Sequence, residues 1–303
     1  MPLLVLTGIF KRMKTGLKKI LPLFVLSASL PLSQAQEDGG GEGVETVEKL
    51  QNLEPATNAG GQALGQAESQ KVVYVIPVRD DIMPPILYVI RRGVKEAMEA
   101  EADCLIIDME TNGGRVDITE EIFGIIDKFK GETVTYVNRD AYSAGAFIAV
   151  STDQIYMAPQ SVIGAAAPIM MGPGGGASEL PSTMEAKMNS AIRAKIRTQA
   201  EKNGYAIDVI EAMVDKSKTL ERDGKTICAE GEILTLTDIE AATKYGDDQM
   251  PLLSSGTVES IDALIEKLGY AGAKRVDVKP LGAEELGTWI AAISPLLLLI
   301  GIA

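Results

Sequence analysis

Apolar segments with two different periodicities alternate through the middle of this chain. Residues 72–78 (VVYVIPV), 104–108 (CLIID) and 133–138 (TVTYVN) are short runs rich in β-branched residues, which is typical of buried strands. Residues 86–100 and 118–129, which lie between these runs, have the apolar spacing of amphipathic helices. Strand, helix, strand, helix and strand in this order predict βαβ units and a mainly parallel α/β sheet.

Two small-residue turns follow predicted strands. Ligands of parallel sheets bind beyond the carboxyl ends of the strands, where Gly113-Gly114 and Ser143 fall. Gly113-Gly114 is either a tight turn or a place where the backbone approaches a ligand closely. Ser143, before a predicted helix, is either an N-cap or a nucleophile beside free N–H groups that could stabilise an oxyanion.

The absence of histidine excludes whole classes of active site. With His 0, the chain has no Ser-His-Asp or Cys-His nucleophile system and no histidine-ligated metal site. Two cysteines, Cys104 and Cys228, are too few for a zinc site or a disulfide framework; two unpaired thiols are favoured over a single bridge. A net charge of -13 argues against nucleic acid as a partner.

The first 70 residues predict export. Residues 1–35 contain five cations and no acid, an apolar run at 20–32 and a small-x-small site ending at Ala35, which is the layout of a signal peptide. An uncleaved anchor is the alternative; cleavage would change the net charge from -13 to -18 because five cations are lost. Residues 36–70 are rich in Gly, Glu, Gln and Ala and predict a flexible linker.

The last residues are apolar without interruption. Residues 289–303 (WIAAISPLLLLIGIA) carry no charged side chain. A membrane-inserted tail, the first part of a truncated span and a buried core helix are all compatible with this run. We expect membrane contact, since the run is apolar on all sides, with Trp289 at the interface.

A serine nucleophile in a chain without histidine requires another base, and lysine is the available residue type. A lysine becomes a base near neutral pH only where apolar surroundings favour its neutral form. Residues 179–197 predict a helix on which Met184, Met188, Ala191 and Ala194 share a face with Lys187. The alternative is an exposed or snorkelling Lys187.

Several ordered motifs resemble a known family. They are IIDMETNGGRV at 106–116, YVNRDAYSAGAFIAVSTDQIYMAPQSVIGAAAPI at 136–169, KMNSAIRAKIRTQAEKNG at 187–204 and LTLTDIEAATKYG at 234–246. Together they resemble the NfeD-type membrane-bound serine proteases, which are relatives of Clp protease in the crotonase-like superfamily. The resemblance implies a ClpP/crotonase-like fold of repeated βαβ units at 71–250, a helical or extended segment at 251–287 and a hydrophobic membrane segment at 288–303.

The resemblance also implies the site. It identifies Ser143 as nucleophile and Lys187 as base of a Ser-Lys dyad, and the N–H groups of Gly114 and Ala144, with that of Gly113 as a third candidate, as oxyanion donors, with no cofactor and no metal. Asn112, where relatives have proline, and Gln160, where they have glycine, depart from the pattern. The glycine-rich loop 172–176 is either a lid over substrate or a disordered connection.

The function implied by the resemblance is that of an exported, membrane-associated serine endopeptidase that cleaves hydrophobic, membrane-proximal peptides, including those of stomatin-like proteins. A homo-oligomer is expected, with the helix predicted at 257–268 packing either on a neighbouring subunit or on its own. Acyl-CoA chemistry on the same fold is disfavoured by the export signal. The non-enzymatic alternative is an inactive scaffold that organises a stomatin-like membrane assembly.

Overall fold

The computed structural model describes residues 70–168, 170–171, 177–178, 182–299 and 301, all in one compact unit, Gly65–Ala303. The predicted signal peptide, nearly all of the predicted linker and the glycine-rich loop 172–176 lie outside the described residues.

The periodicity of the sequence predicts the first elements correctly. The first strand, β1, covers Val72–Val78, as expected. The remaining strands are β2 (Cys104–Thr111), β3 (Glu132–Tyr142), β4 (Gln154–Met157), β5 (Val162–Gly164), β6 (Met170–Met171), β7 (Ala177–Ser178), β8 (Leu220–Arg222), β9 (Lys225–Cys228), β10 (Thr235–Thr237), β11 (Lys244–Tyr245), β12 (Met250–Pro251), β13 (Gly256–Thr257) and β14 (Lys274–Asp277). The helices are α1 (Pro84–Glu99), α2 (Val116–Ile126), α3 (Ala144–Val150), α4 (Ser182–Asn203), α5 (Ile207–Val214), α6 (Asp238–Ala242), α7 (Ile261–Lys267) and α8 (Gly282–Leu299).

A parallel-rich sheet organises the described residues. Its strand order is β10-β5-β3-β2-β1-β14, with β4 on β3 and β13 on β4. The pairings are parallel except that of β10 with β5. Strand β3 is long enough to pair with β4 through its first half and with β5 through Asp140–Tyr142. The carboxyl end of β3 therefore lies between β2 and β5.

Both faces of the central strands are covered, which explains why their sequences are continuously apolar. One face, with Leu105 and Ile107 of β2, contributes to the larger core, which also includes the apolar sides of α1 to α5. The other face, with Cys104 and Ile106, packs against Leu264 of α7 in a second cluster. Alternate residues of one strand thus serve two cores.

The segment expected at 251–287 contributes to the main sheet and its cover. Strand β14 pairs with β1, and Ile261, Leu264 and Ile265 of α7 are buried against the chain's own sheet. The alternative in which this helix packs on its own subunit is therefore confirmed.

Helix α8 begins with an anchored first turn. Glu284 forms a 2.9 Å ion pair with Arg92 of α1, and Gly287 lies against Pro85. Trp289, farther along, is 60% exposed. None of the helices in the described part of the chain is long and apolar enough to cross a membrane, so the membrane segment expected at 288–303 stays a prediction.

Candidate active site

Ser143 has an unusual backbone conformation. It is the single residue between β3 and α3, with φ 53° and ψ -118°. A positive φ is uncommon for a residue with a side chain, and such outliers cost about 1–3 kcal/mol each. Hydrogen bonds on both sides maintain it: the Ser143 N–H donates to Gly164 O at 3.0 Å, and its carbonyl accepts from the N–H groups of Ala146 and Phe147. The strand-to-helix turn therefore orients this one side chain.

The hydroxyl of Ser143 does not cap the helix that it precedes. Ser143 occupies the N-cap position of α3, yet its side chain makes no capping hydrogen bond. Its hydroxyl has no hydrogen-bond partner among the described residues, and the residue is partly exposed. The N-cap interpretation of Ser143 thus does not account for its hydroxyl, which is left available to another group.

Gly113 contacts Ser143 directly. A β-carbon built on Gly113 would lie 2.5 Å from Ser143 Cβ and 3.0 Å from Ser143 Oγ, closer than packed atoms allow. Gly113 has φ 111°, which also favours glycine. The backbone at Gly113 thus approaches Ser143 of the same chain closely, and its close approach to a ligand stays a prediction.

The N–H groups at this turn differ in whether they have a hydrogen-bond acceptor. The N–H of Gly113 donates to Thr111 Oγ1 at 3.1 Å. The N–H groups of Gly114 and Ala144, in contrast, have no acceptor among the described residues. Of the three expected oxyanion donors, the N–H groups of Gly114 and Ala144 therefore have no acceptor among the described residues, whereas the N–H of Gly113 is bonded to Thr111.

A cleft of about 480 Å³ adjoins the turn. Its lining includes Thr111 and Asn112, which come immediately before Gly113, and Asp140, three residues before Ser143, but neither Ser143 nor Gly113. One wall is apolar, with Met83, Pro85 and Ile86, and the remaining lining consists mainly of charged side chains. The cleft opens where βαβ proteins bind ligands, at the carboxyl ends of β1, β2 and β3.

Beside the cleft, a buried carboxylate connects β2 with β3 and with the residue that follows β1. Asp108 of β2 is 6% exposed and accepts hydrogen bonds from Arg79, which follows β1, and from Asn138 of β3, the latter at 3.0 Å. Arg79 also donates to the Asp108 carbonyl at 2.6 Å. This network is not apparent from the sequence, where an acid in an otherwise apolar strand is the one local signal for it.

The predicted apolar face around Lys187 is wrong. Helix α4 buries Ile192, Ile196 and Ala200, whereas Lys187 and Met184 are exposed. The helix packs against the neighbouring elements through its two isoleucines, which offer more apolar surface at helical spacing than the alanines on which the prediction relied. Lys187 has no hydrogen bond or ion pair to another described residue. Its catalytic role stays a prediction.

The two thiols and the phenol of Tyr142 are protonated near neutral pH. Cys104 and Cys228 are unpaired and buried, as favoured from the sequence, and burial raises the pKa of both thiols, so neither forms a thiolate near neutral pH. Burial, together with the Asp140 carboxylate, raises the pKa of Tyr142 beside Ser143. Its phenol therefore remains protonated near neutral pH.

The two departures from the family pattern differ in their structural consequence. Gln160 has φ 65°, in the region where glycine is unstrained, and its N–H donates to Asp238 Oδ1 at 3.1 Å. Asn112 is exposed at the edge of the cleft. The turn at 160 thus keeps a conformation that favours glycine even though glycine is absent.

Comparison with known proteins identifies similar chains. The NfeD1b N-terminal domain model matches residues 72–278, which coincide with the sheet from β1 to just beyond β14. Membrane protein NfeD1b of Bacillus subtilis is 34% identical over 244 residues, covering 80% of this chain and 51% of that protein. Membrane-bound protease PH1510 of Pyrococcus horikoshii is 30% identical over 157 residues, covering 50% of this chain and 34% of the protease. The chain thus spans about half the length of NfeD1b and about a third of the length of PH1510.

Solved structures share the fold. The 1510-N membrane-bound stomatin-specific protease, as a lysine-to-alanine variant with a substrate peptide, superposes with a TM-score of 0.60 at 22% identity, covering 74% of this chain and 99% of that one. A serine-to-alanine variant gives 0.57 at 23% identity, covering 70% and 100%. The family model matches more than half of this chain, and the chain therefore belongs to the family of NfeD1b N-terminal domains.

Proposed function

We propose that this chain is a membrane-associated serine endopeptidase in which Ser143 is the nucleophile and Lys187 the general base. The observation that carries the proposal is the positive φ of Ser143, which is combined with a hydroxyl that caps no helix and has no partner among the described residues. Strain of this kind persists where the surrounding structure enforces it and is concentrated at functional sites.

The proposed reaction is acyl transfer to serine. Neutral Lys187 removes the proton from Ser143 Oγ, the oxygen attacks the carbonyl carbon of a peptide, and the N–H groups of Gly114 and Ala144 stabilise the oxyanion. The lysinium then protonates the leaving amine, and water hydrolyses the acyl-enzyme. The relatives support this assignment, because one is named a protease and its studied variants replace a serine and a lysine.

The exposure of Lys187 adds a requirement to this mechanism. A lysine accepts a proton near neutral pH only in apolar surroundings, and Lys187 is exposed in the single chain. We therefore propose that a substrate or a second copy of the chain covers the start of α4 during catalysis. The expected homo-oligomer would supply such a cover.

The substrate and location are inferred from the relatives. A structural relative is named a stomatin-specific protease, so we propose that a hydrophobic, membrane-proximal peptide of a stomatin-like protein is cleaved, on the exported side of the membrane that the signal-peptide layout predicts. The apolar cleft wall of Met83, Pro85 and Ile86 would accept an apolar side chain.

A second candidate function is a catalytically inactive scaffold in a stomatin-like membrane assembly. The exposure of Lys187 favours it, because without a covering surface the chain lacks a base for Ser143.

Labelling with a fluorophosphonate distinguishes the two functions. The full chain in detergent and in lipid vesicles is treated with the reagent, and the adduct is located by mass spectrometry. We expect labelling at Ser143 that disappears in Ser143→Ala and Lys187→Ala. Lys195→Ala is the matched control, since Lys195 is an exposed lysine of the same helix that pairs with Glu120. Absence of labelling in every oligomeric and membrane-bound form would favour the scaffold.

A further inference from the structure

The hydroxyl of Thr111 connects the cleft to the turn beside Ser143. Thr111 is the last residue of β2 and is 4% exposed. Its Oγ1 donates to the carbonyl of Asp80, in the segment that lines the cleft, at 2.8 Å and accepts the N–H of Gly113 at 3.1 Å. One buried hydroxyl thus binds two loops from different strands.

Backbone hydrogen bonds hold the same loops on the other side. The N–H of Ile82 donates to Gly113 O at 2.7 Å, and the N–H of Arg115 donates to Ile82 O at 2.9 Å. Gly114 lies so close to Ile82 that a β-carbon on it would be 2.4 Å from Ile82 O. The peptide groups on either side of Gly114 are therefore fixed against residues 80–82.

This arrangement determines where the Gly114 N–H points. The carbonyl of Gly113 faces Ile82, and the peptide bond is trans, so the N–H of Gly114 points away from Ile82. Residues 80–82 follow β1, whereas β3 and Ser143 lie on the opposite side of β2. The free N–H of Gly114 is thus directed to the side where Ser143 lies.

We propose that Thr111 is a positioning residue for the reaction at Ser143, which rests on the function proposed above. Its hydroxyl occupies the Gly113 N–H and fixes the loop so that the Gly114 N–H is the donor presented to the reacting carbonyl. Because the same hydroxyl binds Asp80 O, the wall of the cleft and the oxyanion donor are held in one fixed relation. Substrate that binds in the cleft therefore meets a donor already in place.

Two substitutions separate the hydroxyl from the shape of the side chain. Thr111→Val keeps the branched shape and removes the hydroxyl. Thr111→Ser keeps the hydroxyl and removes the methyl group. That methyl group packs on Gly145, where an added β-carbon would lie only 2.6 Å from it. The maximal rate of fluorophosphonate labelling and the reagent concentration at half-maximal rate are measured for each full-length variant.

We expect Thr111→Val to lower the maximal labelling rate by about 10-fold to 100-fold, less than the loss of an oxyanion donor, with little change in half-saturation. Thr111→Ser should stay within about threefold of wild type, since its hydroxyl can make the same two bonds. Labelling of Thr111→Val at the wild-type rate would overturn the proposal. Equal loss in both variants would also overturn it, because the methyl packing would then be responsible.

Amide hydrogen exchange separates this proposal from the proposed function. In Thr111→Val, and not in Thr111→Ser, we expect faster exchange in peptides that contain Gly113 and Gly114, whether or not the protein labels. If exchange is unchanged, the hydroxyl does not hold the loop and the proposal fails. If the wild type does not label while exchange responds as expected, the proposed function fails and Thr111 is reduced to a loop-ordering residue.

Discussion

Gly113 and Ser143 are in contact through atoms that leave no room for a side chain at position 113. A methyl group there would lie 2.5 Å from Ser143 Cβ, and the φ of Gly113 is 111°. The geometry of Ser143 therefore depends on a glycine 30 residues earlier in the chain.

Gly113→Ala should consequently destabilise the fold and displace Ser143. Backbone strain and overpacking together predict a loss of about 2–4 kcal/mol in the free energy of unfolding, with loss of labelling. Urea unfolding provides the measurement. Gly124→Ala is the control, because Gly124 lies in α2 with no atom within 4 Å of the added carbon, and it should gain up to about 1 kcal/mol. A variant at 113 with the stability and labelling of wild type would contradict this prediction.

Ser143→Gly should be more stable than Ser143→Ala. Both variants lose the hydroxyl and should lose labelling, but only glycine relieves the strain of φ 53°. The expected difference in the free energy of unfolding is about 1 kcal/mol, because the entropy of glycine in the unfolded chain offsets part of the gain. Urea unfolding of the two variants side by side measures it. Equal stability would mean that the serine conformation is unstrained.

Gln160→Gly should stabilise the chain by about 0.5–1 kcal/mol for the same reason, since φ is 65° and the side chain is exposed. The backbone hydrogen bond to Asp238 is retained in the variant. Gln160→Ala is the matched control and should show no such gain, because alanine keeps the β-carbon. Thermal unfolding of both variants tests this, and an equal gain in the two would assign the effect to the glutamine side chain instead.

The Arg92–Glu284 ion pair should make stability depend on pH. The hydrogen bond from Arg92 lowers the pKa of Glu284 below its ordinary value of about 4.3. A carboxylate whose pKa is lower in the folded than in the unfolded chain stabilises the fold. This contribution is fully present above the unfolded pKa and is lost as the pH falls through the folded pKa. Arg92→Met should therefore cost about 1–2 kcal/mol at neutral pH and much less well below pH 4.

Urea unfolding at the two pH values measures this difference. Arg91→Met is the control, since the Arg91–Glu121 pair is half exposed on both sides and should contribute less than about 0.5 kcal/mol at either pH. A cost for Arg92→Met that is independent of pH would show that the effect arises from packing and not from the charge of Glu284.

Several features of the site could be predicted from local sequence alone. The turn at Gly113-Gly114 soon after β2 and the turn at Ser143 follow from strand periodicity and from small residues, both of which are local properties. The exposure of Lys187 could not be predicted in this way. Two apolar stripes compete on α4, and the stripe that packs is decided by the surface that the rest of the fold presents.

The sequence by itself determined the α/β class, the order of the first strands and helices, and the exclusion of histidine-based chemistry, because hydrophobic period and composition do not depend on distant contacts. Only the tertiary structure decided that β14 pairs with β1, that Ser143 is held at a positive φ by Gly164, and that Thr111 leaves the Gly114 N–H free. The pairing of β14 with β1 and the hydrogen bonds of Ser143 with Gly164, of Thr111 with Asp80 and of Ile82 with Gly113 join residues far apart in the chain, and such pairing is fixed only when the sheet is assembled.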